Sequence, residues 1–172
     1  AGAIKASTGW SNFTTTRLGT SDNSRASCNS TCDNTDNGQV GNFAFVIPAG
    51  ATINGIEVVA EMNEAASTGN IGTQLSLSWN NGTNFTSVKS ATVDGTTDIN
   101  YTLGGPADTW GRTWTDAELA DSVFRLKLDK VATSDTLNVD QVRAKVYYTT
   151  SGGGNTAPTA PTSLLTEGLT NP

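Results

Sequence analysis

The chain has 172 residues, 35% of them hydrophobic, with 16 acidic and 10 basic side chains and a formal net charge of −6. That length suits one ordinary domain with its own core, plus a tail. The acidic balance speaks against nucleic acid, whose backbone is held by clustered Lys and Arg, and against an acidic membrane surface; no apolar run reaches the roughly 18 residues of a membrane-inserted helix.

From the N-terminus, Ile4, Ala6, Thr8 and Trp10 share one side of an extended segment. Their alternation predicts a first strand near Ala3–Ser7, and a second is expected near Phe13–Leu18. Ser21–Gly38 reads as a polar loop and carries the only two cysteines, Cys28 and Cys32. A turn that brings their Cα atoms within about 4.4–6.8 Å would permit a disulfide. Such a bridge implies an oxidising, extracellular setting. The rival reading is two free thiols or a metal site, but with no histidine and no second cysteine pair, zinc lacks ligands. The same loop runs Asp33-Asn34-Thr35-Asp36-Asn37-Gly38, oxygen-rich and ended by glycine. The EF-hand spacing asks for an acidic residue at the twelfth place, where Ala44 stands. Asp33 and Asp36 are left as weak calcium candidates; the alternative is a solvated turn. No other metal or cofactor is expected.

The stretch Val40–Met62 organises the rest. Phe43, Phe45 and Ile47 alternate along one apolar run, and Ile56, Val58, Ala60 and Met62 along another. Pro48 stops the first, and Gly50 and Gly55 let the connector turn. Two strands are expected here. Thr73–Trp79 alternates again, with Leu75, Leu77 and Trp79 on one face. Asn80-Asn81-Gly82 signals a hairpin turn, Phe85–Lys89 returns, and Asp98–Leu103 places Ile99, Tyr101 and Leu103 together. Thr115 through Glu118 is a capping box that predicts a helical turn over Asp116–Ala120. Trp110 and Trp114 flank Arg112. They read either as a surface platform for sugar rings or as a plug tucked under the helical turn, the latter favoured because large aromatics are usually buried. Val123–Lys130 sets Phe124, Leu126 and Leu128 against Arg125, Lys127 and Asp129. Leu137–Tyr148 is the last long strand. Its apolar phase slips near Asp140, which suggests a β-bulge, and Arg143, Lys145 and Tyr147 are expected to face solvent.

These elements predict an all-β fold: a two-sheet antiparallel β-sandwich of jelly-roll type over residues 1–150, with one short helical turn. An immunoglobulin-like sandwich ranks second, since its Cys…Trp…Cys frame is missing. Residues 151–172 read as a Gly/Pro/Thr-rich hinge and extended tail. Fully stretched, that tail spans about 70 Å. Within it, Ser163, Leu164, Leu165, Thr166, Glu167, Gly168 and Leu169 could form a strand donated to a neighbouring copy, with the N-terminal segment bearing Ile4 and Ala6 as rival donor.

The pieces GWSNFTT, FAFVIPAGATINGIEV, DTWGRTWT and VDQVRAKVYYT, spread over Gly9–Thr149, resemble β-sandwich modules of bacterial secreted multi-domain surface proteins and phage structural proteins. The resemblance implies fold and an extracellular, cell-surface or virion-surface context, and no activity. Two functions are expected on these grounds. The first is a non-enzymatic structural subunit that polymerises head to tail with other copies of itself by strand addition. The alternative is a carbohydrate-binding or adhesion module contacting surface glycans through Trp79, Tyr101, Trp110, Trp114 and the acidic loop. Catalysis is not expected. With no histidine a Ser-His-Asp arrangement cannot be built, and a carboxylate pair drawn from Asp94, Asp98, Asp108 or Glu118 has nothing in the sequence to fix its separation.

Overall fold

A computed structural model describes residues 2–33, 35–66, 69–131 and 134–150. The C-terminal tail, with the Ser163–Leu169 donor segment, lies outside the described residues. The elements in order are β1 (Ala3–Thr8), α1 (Thr15–Gly19), β2 (Ala26–Cys28), β3 (Asn37–Gly41), β4 (Thr52–Glu64), β5 (Ile71–Ser78), β6 (Lys89–Val93), β7 (Ile99–Gly104), a 3-10 turn (Asp116–Leu119), β8 (Arg125–Lys130) and β9 (Leu137–Thr149). They form a two-sheet antiparallel sandwich of jelly-roll type. One sheet has five strands in the order β1-β3-β8-β5-β6, the other four in the order β2-β9-β4-β7.

The core follows from period-two patterning. On β4, Ile56, Val58, Ala60 and Met62 are fully buried, while Glu57, Val59 and Glu61 between them are half-buried. Across the sandwich, Leu75 and Leu77 of β5 lie opposite Leu128 and Leu126 of β8, and all four are buried. Each such side chain contributes about 1.5–3 kcal/mol when removed from water. The slip foreseen near Asp140 is a register shift: Gln141 pairs with Glu61 and Val139 with Met62, leaving Asp140 as the extra residue.

Several local expectations fail. Phe13–Leu18 is not a strand: α1 forms there, with the Thr14 hydroxyl accepting from the Arg17 amide at 3.3 Å and Leu18 buried beneath. An N-cap and one apolar anchor outweigh the β preference of the threonines. Phe43, Phe45 and Ile47 do share one half-buried row, but residues 42–48 make no ladder. Asn42 and Ala44 sit at φ 54° and 56°, which breaks strand geometry, and the Ala44 amide donates to Asp121 Oδ1 at 2.9 Å. The run is held by its rings. Phe43 and Phe45 stack at 5.6 Å, and each meets Phe124 edge-on. Of the expected return strand Phe85–Lys89, only Lys89 enters a strand; Phe85 makes an isolated bridge to Ser78. The polar loop 21–38 contains β2 and the start of β3.

Ile4 and Ala6 are placed in β1, paired with Val40 and Gln39 of the same chain. Cys28 and Cys32 form a disulfide with Cα atoms 5.4 Å apart, and both residues are buried.

Gly104, at the end of β7, sits at φ 77°, and a Cβ there would lie 2.1 Å from the Ile56 carbonyl oxygen. Gly104→Ala is therefore expected to cost more than about 2 kcal/mol, from left-handed strain plus the clash. Chemical denaturation checks this; a loss below half that value would show that the β4–β7 contact yields easily.

Candidate functional site

The sites suggested by the sequence resolve differently. Trp110 and Trp114 are 4% and 3% exposed. Their indole nitrogens donate to the carbonyls of Ile56 and Thr109, both at 2.8 Å. Arg112 stacks between Trp79 and Trp114, 4.1 and 4.5 Å from the ring centroids, and pairs with Glu118 at 2.8 Å. Burial pushes the Glu118 carboxyl up, but Arg112 and the Thr115 backbone amide outweigh it, so the group sits below its ordinary range. Glu118 Oε2 accepts from that amide at 2.9 Å, the reach-back of the capping box. This cluster is a plug, with no open ring face at Trp110 or Trp114.

Three of the carboxylates considered for glycosidic chemistry are committed to ion pairs: Asp98 with Arg25, Asp108 with Lys89 and Glu118 with Arg112. Asp33 Oδ1 accepts from the Thr35 hydroxyl at 2.6 Å and the Thr35 amide at 2.8 Å, and these bonds hold its carboxyl below the usual carboxylate range. Asp36 Oδ2 accepts from the Asp33 amide at 2.9 Å. The two carboxylates thus close a polar turn. Among the described residues no group of three or more His, Cys, Asp or Glu gathers to hold a metal.

The outward face of the four-stranded sheet carries the candidate site. Strand register sets a grid there. Lys145, Arg143 and Gln141 of β9 lie opposite Glu57, Val59 and Glu61 of β4. Glu57, Val59 and Glu61 in turn lie opposite Gly104, Thr102 and Asn100 of β7. Glu57, Val59, Arg143, Ala144 and Lys145 line an open groove of about 370 Å³. Both ends of the face are covered. Gly55, the next outward position on β4 before Glu57, would place a Cβ 2.1 Å from Gly105 O and 2.6 Å from Pro106 C, so residues 105–106 close over that end. At the other end Arg25, just before β2, joins Asp98, just before β7, through two contacts of Nε at 3.0 and 3.2 Å and one of Nη2. That clamp joins the two edges of the sheet, and the hydrogen bond to Asp98 raises the guanidinium above its ordinary range, with Asp140 and Glu61 adding to the field. Beside it Ser27, Asn138, Asn63 and the Thr96 carbonyl form a continuous hydrogen-bonded chain at 2.8–3.0 Å.

Within the open middle, Tyr147 donates to Glu57 Oε2 at 3.0 Å, the Lys145 ammonium stands 4.5 Å from the Tyr147 ring centroid, and Arg143 Nη2 donates to Asn100 Oδ1 at 3.1 Å. The arrangement offers carboxylate acceptors, cationic donors and amides that do both, around the short apolar side chain of Val59. Sequence reading expected Arg143, Lys145 and Tyr147 to face solvent but gave this face no binding role. The signal was present as the solvent-facing phase of two long strands, with Glu57 and Glu61 on one and Arg143, Lys145 and Tyr147 on the other.

Neither a protein-family model nor a curated protein sequence matches the chain. Among solved structures it is similar to the Clostridium thermocellum N-terminal endo-1,4-beta-D-xylanase 10B, CBM22-1 and GH10 modules complexed with xylohexaose. That match has 13% identity and a TM-score of 0.48, covering 92% of this chain and 30% of that one. It is also similar to the CBM22-1 xylan-binding domain from Paenibacillus barcinonensis Xyn10C, at 10% identity and a TM-score of 0.47, covering 87% of this chain and 98% of that one. A third structure, described as CBM4 structure and function, matches at 12% identity and a TM-score of 0.40, covering 74% and 73%. None of these three is a phage structural protein.

Proposed function

We propose that this chain is a non-catalytic, extracellular carbohydrate-binding module, and that the sugar lies across the outward face of the four-stranded sheet rather than on the tryptophans. The observation that carries the reading is the groove over Glu57, Val59, Arg143 and Lys145, floored by regular strands and covered at both ends. A sugar hydroxyl both donates and accepts, so it needs mixed partners at close spacing, and the acid, base and amide side chains of this grid supply them. Rigid strands fix those groups without the ordering cost a mobile loop would add. The Cys28–Cys32 bridge supports an oxidising compartment.

Titration calorimetry with soluble xylan, glucan, mannan, galactan and pectin tests the reading. The wild type is expected to bind at least one with Kd between about 1 μM and 1 mM. Val59→Trp, which fills the groove floor, is expected to weaken binding at least about tenfold while circular dichroism stays unchanged. Binding to none of the panel, or equal binding by Val59→Trp, would falsify it.

A further inference from the structure

We infer that the groove selects a polysaccharide bearing carboxylate groups, a uronic-acid-containing chain, over its neutral counterpart. This rests on the carbohydrate-binding reading above and concerns the same site. The chain has ten basic side chains against sixteen acidic ones, so carboxylates are in excess and most inner cations find partners. Arg25, Lys89, Arg112 and Lys127 each form an ion pair. Arg125 is buried, and its guanidinium donates to the carbonyls of Asp121, Ser122 and Phe124. Arg143 and Lys145 differ. Both are exposed and line the groove, two residues apart on the same face of β9, and among the described residues neither has a carboxylate within ion-pair distance.

The nearest acid to Lys145 by register is Glu57, and Glu57 is engaged by the Tyr147 hydroxyl. The ammonium instead rests over the Tyr147 ring, outside ion-pair distance of any carboxylate among the described residues. Arg143 is oriented by the neutral Asn100 oxygen through Nη2 alone, so its other guanidinium N–H groups remain for a planar carboxylate. Two cations on the β9 side of the groove and Glu57 on the β4 side sort a sugar chain by polarity: carboxylate toward β9, hydroxyls toward β4. The net charge of −6 opposes the approach of any polyanion, so preference must come from contact at these two side chains and not from steering.

The test compares polygalacturonate and glucuronoxylan with the same polymers after chemical reduction of their carboxyl groups. Calorimetry is run on wild type, Arg143→Gln, Lys145→Gln and the double variant. Wild type is expected to bind at least one carboxylated form about tenfold or more tighter than its reduced partner, the value of one charge-assisted contact. The double variant is expected to bring that ratio toward one. Equal affinity of wild type for the two forms, or a ratio the double variant leaves intact, overturns this inference and leaves the module reading standing. No binding of either form, together with none across the polysaccharide panel above, overturns both.

Discussion

Lys130→Met is expected to destabilise the protein by about 3 kcal/mol, because it removes from a buried position the charged donor of two part-buried carbonyls. Lys130 is fully buried. It faces the interior from β8, opposite Thr73 of β5, and Nζ donates to the carbonyls of Asn29 and Asp135 at 2.7 Å each. One ammonium thereby ties the disulfide loop to the β8–β9 connection. Methionine keeps the length of the stem, so the loss reports the hydrogen bonds and not a cavity. Urea unfolding measures it, and a loss under about 1 kcal/mol would mean that water takes over the carbonyls.

The same side chain carries a pH signature. Burial holds the Lys130 ammonium below its usual range, against the opposing pull of Asp135 and Asp33. A lysine depressed on folding binds its proton more tightly in the unfolded chain. Its contribution to stability therefore increases as pH climbs from the depressed folded value toward the unfolded value of about 10.4. The stability difference between wild type and Lys130→Met should widen over that alkaline window. A difference flat with pH would contradict the assignment.

Phe124→Ala carries the second large effect, about 4 kcal/mol. Phe124 is 1% exposed and meets Phe43, Phe45 and Trp114 at 5.7, 5.4 and 5.9 Å. Residues 42–48 have no strand ladder, so these ring contacts are what seat them on the core. The substitution is expected to open that segment to proteolysis before the sheets unfold. Limited proteolysis with mass spectrometry locates the first cut. A first cut elsewhere would show that the Ala44–Asp121 contact suffices by itself.

Arg125 shows how far a strand's alternation reaches. Phe124, Leu126 and Leu128 are inside as their phase implies, but Arg125 and Asp129 on the opposite phase are also buried, at 3% and 5% exposure. Periodicity assigns a side chain to a face of its sheet; it does not say what covers that face. Here Asn81 and the turn at 121–122 reach the Arg125 guanidinium. Lys130 shares the phase of Leu128, so its inward direction was legible, whereas its carbonyl partners, far away in sequence, were not.

The sequence by itself determined the fold class, the interior rows of β4, β5, β8 and β9, the bulge at Asp140, the capping turn and the pairing of two close cysteines. All of these are local: each depends on residue type and spacing within one segment. Tertiary structure alone decided that Phe43 and Phe45 dock without a ladder and that Glu57, Val59, Arg143 and Lys145 meet around a groove. Glu57 and Val59 of β4 stand more than eighty positions from Arg143 and Lys145 of β9, and only the strand register, set by how the two sheets share one core, brings them onto one face.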